Sequence, residues 1–379
     1  MQSIKKILVI THEASFGGAP ILLLRLMRLL KDEGYIFNTL VMQDGPLYKE
    51  FDAISAQCAV YKKVKKNVRE RIKAKVLGNE NIPEKLLEGI DCIFSNTIVN
   101  GKVLKEKNVF SSIPVVSYIH ELATVTAMTT TKETLEAVLK SSNLFLTPCK
   151  TVEDFIVSSF SIKQSRIARL NYFMPTTTAV SAVEIKTFKD NHNISASFIV
   201  GSLATLEWRK GADIFLQVVS SFFSEYPNED AKFLWMGNYS ENERLKFLYD
   251  AAKLNITDKI LLLPSSASVE IFWNAVDVLL LPSREDPYPV VVMEAAAHKV
   301  PAICFENAGG APEFIGTDAG TVVSYLDSAK MSDSVFNYYH QPDLLKVHGK
   351  NAFEKVKKLH GDKEFIKKQF EEALAKIEL

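Results

Sequence analysis

Three observations predict an α/β fold built from two parallel sheets. Short apolar runs alternate with Gly/Pro/polar turns and amphipathic helical stretches. The runs are nearly continuously apolar, which implies strands covered on both faces, as in parallel sheets flanked by helices. The alternating series occurs twice, and 379 residues are too many for one ordinary core and suit about two domains.

The first series reads as strands at Lys6–Ile10, Phe37–Met42, Cys92–Ser95, Val115–Tyr118, Leu144–Thr147 and Ile167–Leu170. Helices are expected between them, as at Ala19–Asp32, where Leu22, Leu26 and Leu29 share one face. The stretch MPTTTAVSAVEIKTFKD (Met174–Asp190) is Thr/Ser/Ala-rich without a helical stripe and is read as an interdomain linker, placed at 176–192. The second series has strands at Phe198–Leu203, Phe233–Met236, Ile260–Leu263, Val278–Leu281 and Ala302–Phe305, with helices such as Gly211–Ser224 and Glu241–Lys253. The expected domains are 1–175 and 193–361. The last charged helix, within 362–379, has no strand after it and is expected to pack back on the first domain.

Lys+Arg and Asp+Glu balance at 45 each, so no global field favours nucleic acid. The four cysteines, Cys58, Cys92, Cys149 and Cys304, are dispersed without a C-x-x-C pair, which fits a reducing compartment and core packing. No stretch approaches the ~20 apolar residues of a membrane span. The start MQSIKKILVITHEA has too short an apolar stretch for a signal peptide and reads as a first strand, so a cytoplasmic location is expected.

Five segments carry candidate chemistry. In DPYPVVVME (Asp286–Glu294), an acid, a Pro-Tyr-Pro turn centred on Tyr288 and a second acid lead into an apolar helix. A helix start offers unpaired amides to an anion; Pro287 and Pro289 have none, so Val290, Val291 and their neighbours would supply them. The plain alternative is a helix-cap acid and a buried partner. In TLEWRKGAD (Thr205–Asp213), Arg209 and Lys210 sit past a strand and before a helix, where they can neutralise a diphosphate; a solvated surface pair is the alternative. HEASFGGAP (His12–Pro20) places Gly17 and Gly18 between a strand and a helix, allowing close backbone approach to a ligand or serving only as a turn. It lacks the G-x-G-x-x-G dinucleotide fingerprint, which disfavours a dehydrogenase. His120 and Glu121 follow the strand in IPVVSYIHEL, at another carboxyl edge. YKKVKKNVRERIKAK (Tyr61–Lys75) is either a solvated helix or loop, or an adhesion patch for an anionic membrane surface through Lys62, Lys63, Lys65, Lys66, Arg69, Arg71, Lys73 and Lys75.

Together these residues resemble the retaining glycosyltransferases of the GT-B fold, specifically glycosyltransferase family 4, over nearly the whole chain. The glycine loop, SNTIVNG (Ser95–Gly101), YIHEL (Tyr118–Leu122), VGSLATLEWRKGAD, FLWMGN (Phe233–Asn238), PSREDPYPVVVMEAAAHKVPAIC and NAGGAPEFI (Asn307–Ile315) resemble that family's segments in the right order. The resemblance implies two Rossmann-like domains facing across a cleft. It implies that Lys210 with Arg209 holds a donor diphosphate and that Glu294 binds the ribose. Asp286 would lie near the sugar hydroxyls, with Val290 and Val291 amides near phosphate and sugar. Gly17 and Gly18 would close from the other domain, His120 would lie beside the transferred sugar, and Leu263-Pro264 would receive the base. Thr205 and Tyr288 complete the implied donor set. Ala204 stands where many members carry Arg, and the first acid is Asp rather than Glu. The implied reaction is metal-independent, retaining transfer from a nucleotide-diphosphate sugar to a glycan or lipid-linked saccharide in bacterial surface-polysaccharide synthesis, with no cofactor. A sugar-nucleotide epimerase and a non-catalytic glycan- or partner-binding subunit are the alternatives. The implied place is the cytoplasm, at the inner face of the membrane if the basic stretch adheres.

Overall fold

The structure, a computed structural model, describes residues 5–61, 82–105, 113–265 and 268–377. The basic residues of 62–75 lie outside the described residues. By contact the chain divides into two compact units, Met1–Phe173 with Asp362–Leu379, and Met174–Gly361.

The first unit holds a seven-stranded sheet: β1 (Lys6–Thr11), β2 (Ile36–Val41), β3 (Gln57–Val60), β4 (Cys92–Asn96), β5 (Val115–Tyr118), β6 (Leu144–Thr147) and β7 (Ile167–Arg169). Their order is β3-β2-β1-β4-β5-β6-β7, and every pairing is parallel. The chain winds outward from β1 to β3, then returns to lay β4 on the other side of β1. That reversal makes β1/β4 the switch point, where loops at the carboxyl ends part and leave room for a ligand. Helix Gly18–Asp32 buries Leu22, Leu23, Leu26, Met27 and Leu30, the stripe its apolar spacing predicts. The terminal helix Lys363–Ala375 lies in the same unit. Its Phe370 packs edge-on to Tyr35 (centroids 5.6 Å apart) and against Phe94 (6.1 Å), while Lys367 pairs with Glu33 at 2.5 Å.

The second unit repeats the plan with six parallel strands: β8 (Phe198–Leu203), β9 (Ala231–Gly237), β10 (Ile260–Pro264), β11 (Val278–Leu281), β12 (Ala302–Phe305) and β13 (Gly320–Val323). Their order is β10-β9-β8-β11-β12-β13, with the switch point at β8/β11. Phe215, Phe222, Phe233 and Trp235 fill the core beneath helix Ala212–Glu225. Each such side chain removed from water contributes about 1.5–3 kcal/mol.

Three features depart from the sequence reading. β3 and β13 were not expected. The proposed linker 176–192 is not an open connection: it contains helix Ala182–Asn191 and falls within the second unit. Ser181 and Glu184 form a reciprocal capping box there, and the buried Phe188 supplies its apolar contact, so one aromatic replaces the stripe that periodicity looks for.

Candidate functional site

In the second unit, the turn Trp208–Lys210 ends at Gly211, whose φ is +74°. A Cβ at Gly211 would stand 1.9 Å from the Pro282 carbonyl oxygen, so glycine is what allows this loop to press against the end of β11. The contact aligns the loop with the segment after β11: the Arg284 amide donates to the Arg209 carbonyl at 2.8 Å. Arg209 Nη1 then donates to the Glu285 carbonyl at 2.9 Å, and its Nη2 meets Glu207 Oε1 at 3.0 Å. Lys210 Nζ donates to Asp286 Oδ2 at 2.5 Å, with the two side chains only 18% and 8% exposed. Asp286 is fixed in turn by its amide, which donates to the Ala308 carbonyl at 2.7 Å, and by its carbonyl, which accepts from Gly310 at 3.3 Å. Gly309, at φ +144°, lies so close that a Cβ would come within 1.7 Å of the Asp286 carbonyl oxygen. Segments 205–213, 282–294 and 307–315, far apart in sequence, thus interlock at one carboxyl edge.

The electrostatics are nearly matched. Arg209 faces Glu207, Lys210 faces Asp286, and Arg284 clasps Asp213 with two bonds of 2.8 and 2.7 Å. The Arg284 guanidinium holds the Asp213 carboxyl below its ordinary range. An incoming diphosphate would therefore have to share Lys210 or Arg209 with a carboxylate. The helix Val290–Ala297 adds amides: Pro289 is its N-cap, no side chain caps it and no acid occupies its first turn. Glu294 is half-buried on this helix. Thr205 and Pro264 are exposed past β8 and at the end of β10, on the carboxyl edge of the same sheet. Tyr288 differs from expectation. Its side chain is buried, and its hydroxyl meets the buried His360 Nε2 at 3.0 Å, so it braces the turn from inside.

In the first unit, the ends of β1, β4 and β5 gather a second set. His120 Nε2 is 2.8 Å from Asn96 Oδ1, and its Nδ1 is 3.0 Å from the Tyr172 hydroxyl. The Tyr118 ring lies 4.1 Å from the imidazole, centroid to centroid. Burial, reinforced by His12 nearby, pushes His120 down to about 3. Glu121 is 6% exposed; its Oε2 accepts from the His120 amide at 2.9 Å and the Ile98 amide at 3.2 Å. Burial pushes this carboxyl up to about 7, against those hydrogen bonds. Beside it, Thr97 holds φ +104°, an outlying value for a β-branched residue, of a kind that costs of order 1–3 kcal/mol.

The glycine loop reaches this set through Asn96, whose Nδ2 donates to the Ala19 carbonyl at 3.1 Å. Neither Gly17 nor Gly18 has a positive φ, and Gly17 has an ordinary extended backbone at −66°, 158°. A Cβ at Gly17 would come 3.2 Å from Ser15 Oγ, tight but against a small side chain. Backbone conformation does not demand glycine at either position. Sequence reasoning missed His12, Asn96, Thr97 and Tyr172. The shared signal, polar residues just past apolar strands, was available for the first three; Tyr172 lies in an irregular stretch after β7.

The chain is similar to the crystal structure of Anabaena Alr3699/HepE in complex with UDP and glucose, with a TM-score of 0.82, 15% identity, and coverage of 98% of this chain and 99% of that one. The chain has the GT-B fold. A second GT-B structure, WaaG, a glycosyltransferase involved in lipopolysaccharide biosynthesis, matches with a TM-score of 0.69 and 13% identity over 97% of this chain and 98% of that one. Residues 197–341, most of the second GT-B unit, match the family model described as glycosyl transferases group 1. Among curated relatives, the lipopolysaccharide core biosynthesis mannosyltransferase LpcC of Rhizobium leguminosarum is 24% identical over 167 residues, 42% of this chain and 46% of that protein. An uncharacterized glycosyltransferase of Haemophilus influenzae is 30% identical over 106 residues, 28% of this chain and 29% of that protein. The chain thus spans less than half the length of either curated relative.

Proposed function

We propose that this GT-B chain is a glycosyltransferase that moves a sugar from a nucleotide-diphosphate sugar to a hydroxyl of a glycan or lipid-linked saccharide. The observation that carries the reading is the largely buried Lys210–Asp286 pair, with Arg209 beside it, at the carboxyl edge of a sheet whose sequence matches glycosyl transferases group 1. The similarity to a lipopolysaccharide-core mannosyltransferase supports a place in surface-polysaccharide synthesis.

In this reading the bond from sugar C1 to the diphosphate loosens and negative charge grows on the leaving oxygen. Arg209, Lys210 and the amides of Val290 and Val291 stabilise that charge, and no metal is needed. A preorganised donor of this kind is worth ~2.7–4 kcal/mol in the transition state. Retention would follow from attack on the face that the diphosphate leaves, with the leaving phosphate taking the acceptor's proton. Asp286 and Glu294 would hold sugar and ribose hydroxyls, and Thr205 and Leu263-Pro264 the nucleoside end. The basic residues of 62–75 would hold the enzyme to an anionic membrane surface.

The test is release of free nucleoside diphosphate from UDP-, GDP-, ADP- and dTDP-sugars, with and without crude glycan acceptor and with EDTA. Acceptor-dependent release that survives EDTA is expected. Conversion of donor to an isomer without acceptor would replace transfer by epimerisation; nucleotide binding without turnover would leave a binding subunit.

A further inference from the structure

His120 has both ring nitrogens engaged, and the partners define which one carries the proton. The Asn96 amide is oriented by its far end: Nδ2 donates to the Ala19 carbonyl at 3.1 Å. The opposite orientation would set two carbonyl oxygens against each other. Asn96 therefore turns Oδ1 towards His120, and a carbonyl oxygen can only accept. His120 Nε2, 2.8 Å away, must be the donor. In a neutral imidazole the other nitrogen is then an acceptor, and the Tyr172 hydroxyl, 3.0 Å from Nδ1, donates to it. Tilted ring contacts close the arrangement: Tyr118 lies 4.1 Å and Tyr172 5.6 Å from the imidazole, centroid to centroid, and the Tyr118 hydroxyl is tied to the Leu170 carbonyl at 2.5 Å.

We infer that Asn96 and Tyr172 are positioning residues that lock His120 as the Nε2–H tautomer, so that it presents a fixed neutral ring and takes up no proton from a bound acceptor. The ionisable neighbours agree with this. The nearby His12 is itself held below its ordinary value by burial, and it opposes a second positive charge. Glu121 approaches His120 through the backbone amide, not through the ring. The consequence for transfer rests on the glycosyltransferase reading: the acceptor's proton goes to another base. The tautomer itself does not depend on that reading.

The test is long-range proton–nitrogen correlation NMR on the full chain labelled with ¹⁵N-histidine, with His120→Asn to assign the signal among seven histidines. The wild-type chain should show a pyrrole-like Nε2 and a pyridine-like Nδ1, unchanged through the range where free histidine titrates. Tyr172→Phe should keep the tautomer, because Asn96 Oδ1 still accepts from Nε2. Asn96→Leu should give a mixture of tautomers. A protonated Nδ1, a mixture in the wild type, or ordinary titration would overturn the inference, and the wild-type spectrum alone decides it if a variant does not fold. Absence of any transferase activity would leave the NMR result standing, so the two failures are separable.

Discussion

Glu121→Gln should abolish a pH dependence that burial builds into the first unit. Glu121 is 6% exposed, and both amides it receives, from His120 and Ile98, reach the same oxygen, Oε2. Burial outweighs those bonds and raises the carboxyl from 4.5 to about 7. One pKa unit is worth ~1.4 kcal/mol, so the rise corresponds to ~3 kcal/mol. Its sign follows from proton counting. Between the unfolded and folded values, the folded chain binds more protons than the unfolded one. The contribution of Glu121 is therefore fully present below about 4.5 and is lost as pH rises through about 7.

Glutamine keeps a carbonyl for the two amides and cannot ionise. Relative to wild type, the variant should gain ~3 kcal/mol on going from acid to pH above 7. The assay is urea unfolding at the two extremes, read by pulse-labelled hydrogen exchange in peptides from β4 and β5, with labelling at one fixed pH. The three tryptophans, Trp208, Trp235 and Trp273, all lie in the second unit, so their fluorescence is an internal control. A wild-type–variant difference that is the same at both pH values would refute the reasoning.

Two further outcomes follow from the geometry. Gly309→Ala must displace the Asp286 carbonyl, because no Cβ fits at 1.7 Å; a loss of ~1–3 kcal/mol or more is expected in tryptophan-monitored unfolding, whereas Gly17→Ala should change the stability of the first unit little, read by hydrogen exchange in peptides from β1 and β4. Sedimentation with vesicles of anionic lipid should pull the chain down at low salt and release it at high salt, since each basic residue near such a surface adds about 1 kcal/mol; salt-insensitive or absent binding would remove the membrane from the account.

The strands were legible where burial on both faces makes them continuously apolar, as at Leu8–Ile10, Phe233–Met236 and Val278–Leu281. β3 was not, because Gln57–Val60 is a four-residue edge strand, exposed to half-buried, and β13 is another four-residue edge strand. Helix Ala182–Asn191 escaped because only Phe188 is buried; the Ser181–Glu184 capping signal was there to be read. In the candidate site, Arg209, Lys210 and Asp286 were legible as charges beside turns, and their pairing across 76 residues follows from the fold. Tyr288 was misread because nothing local shows that His360, 72 residues later, returns beneath it. His120 was legible as a polar residue past a strand, but its partners were not: Asn96 and Tyr172 meet it only when β4, β5 and the stretch after β7 come side by side.

The most direct measurement is the affinity of a nucleoside diphosphate, by titration calorimetry, for the wild-type chain and for Lys210→Ala shown to be folded by its tryptophan fluorescence. Losing one charge-assisted bond of about 1.5–3 kcal/mol should weaken binding roughly ten- to hundredfold. Equal affinity in the two proteins would contradict the assignment of Lys210 to the diphosphate and, with it, the proposed donor site.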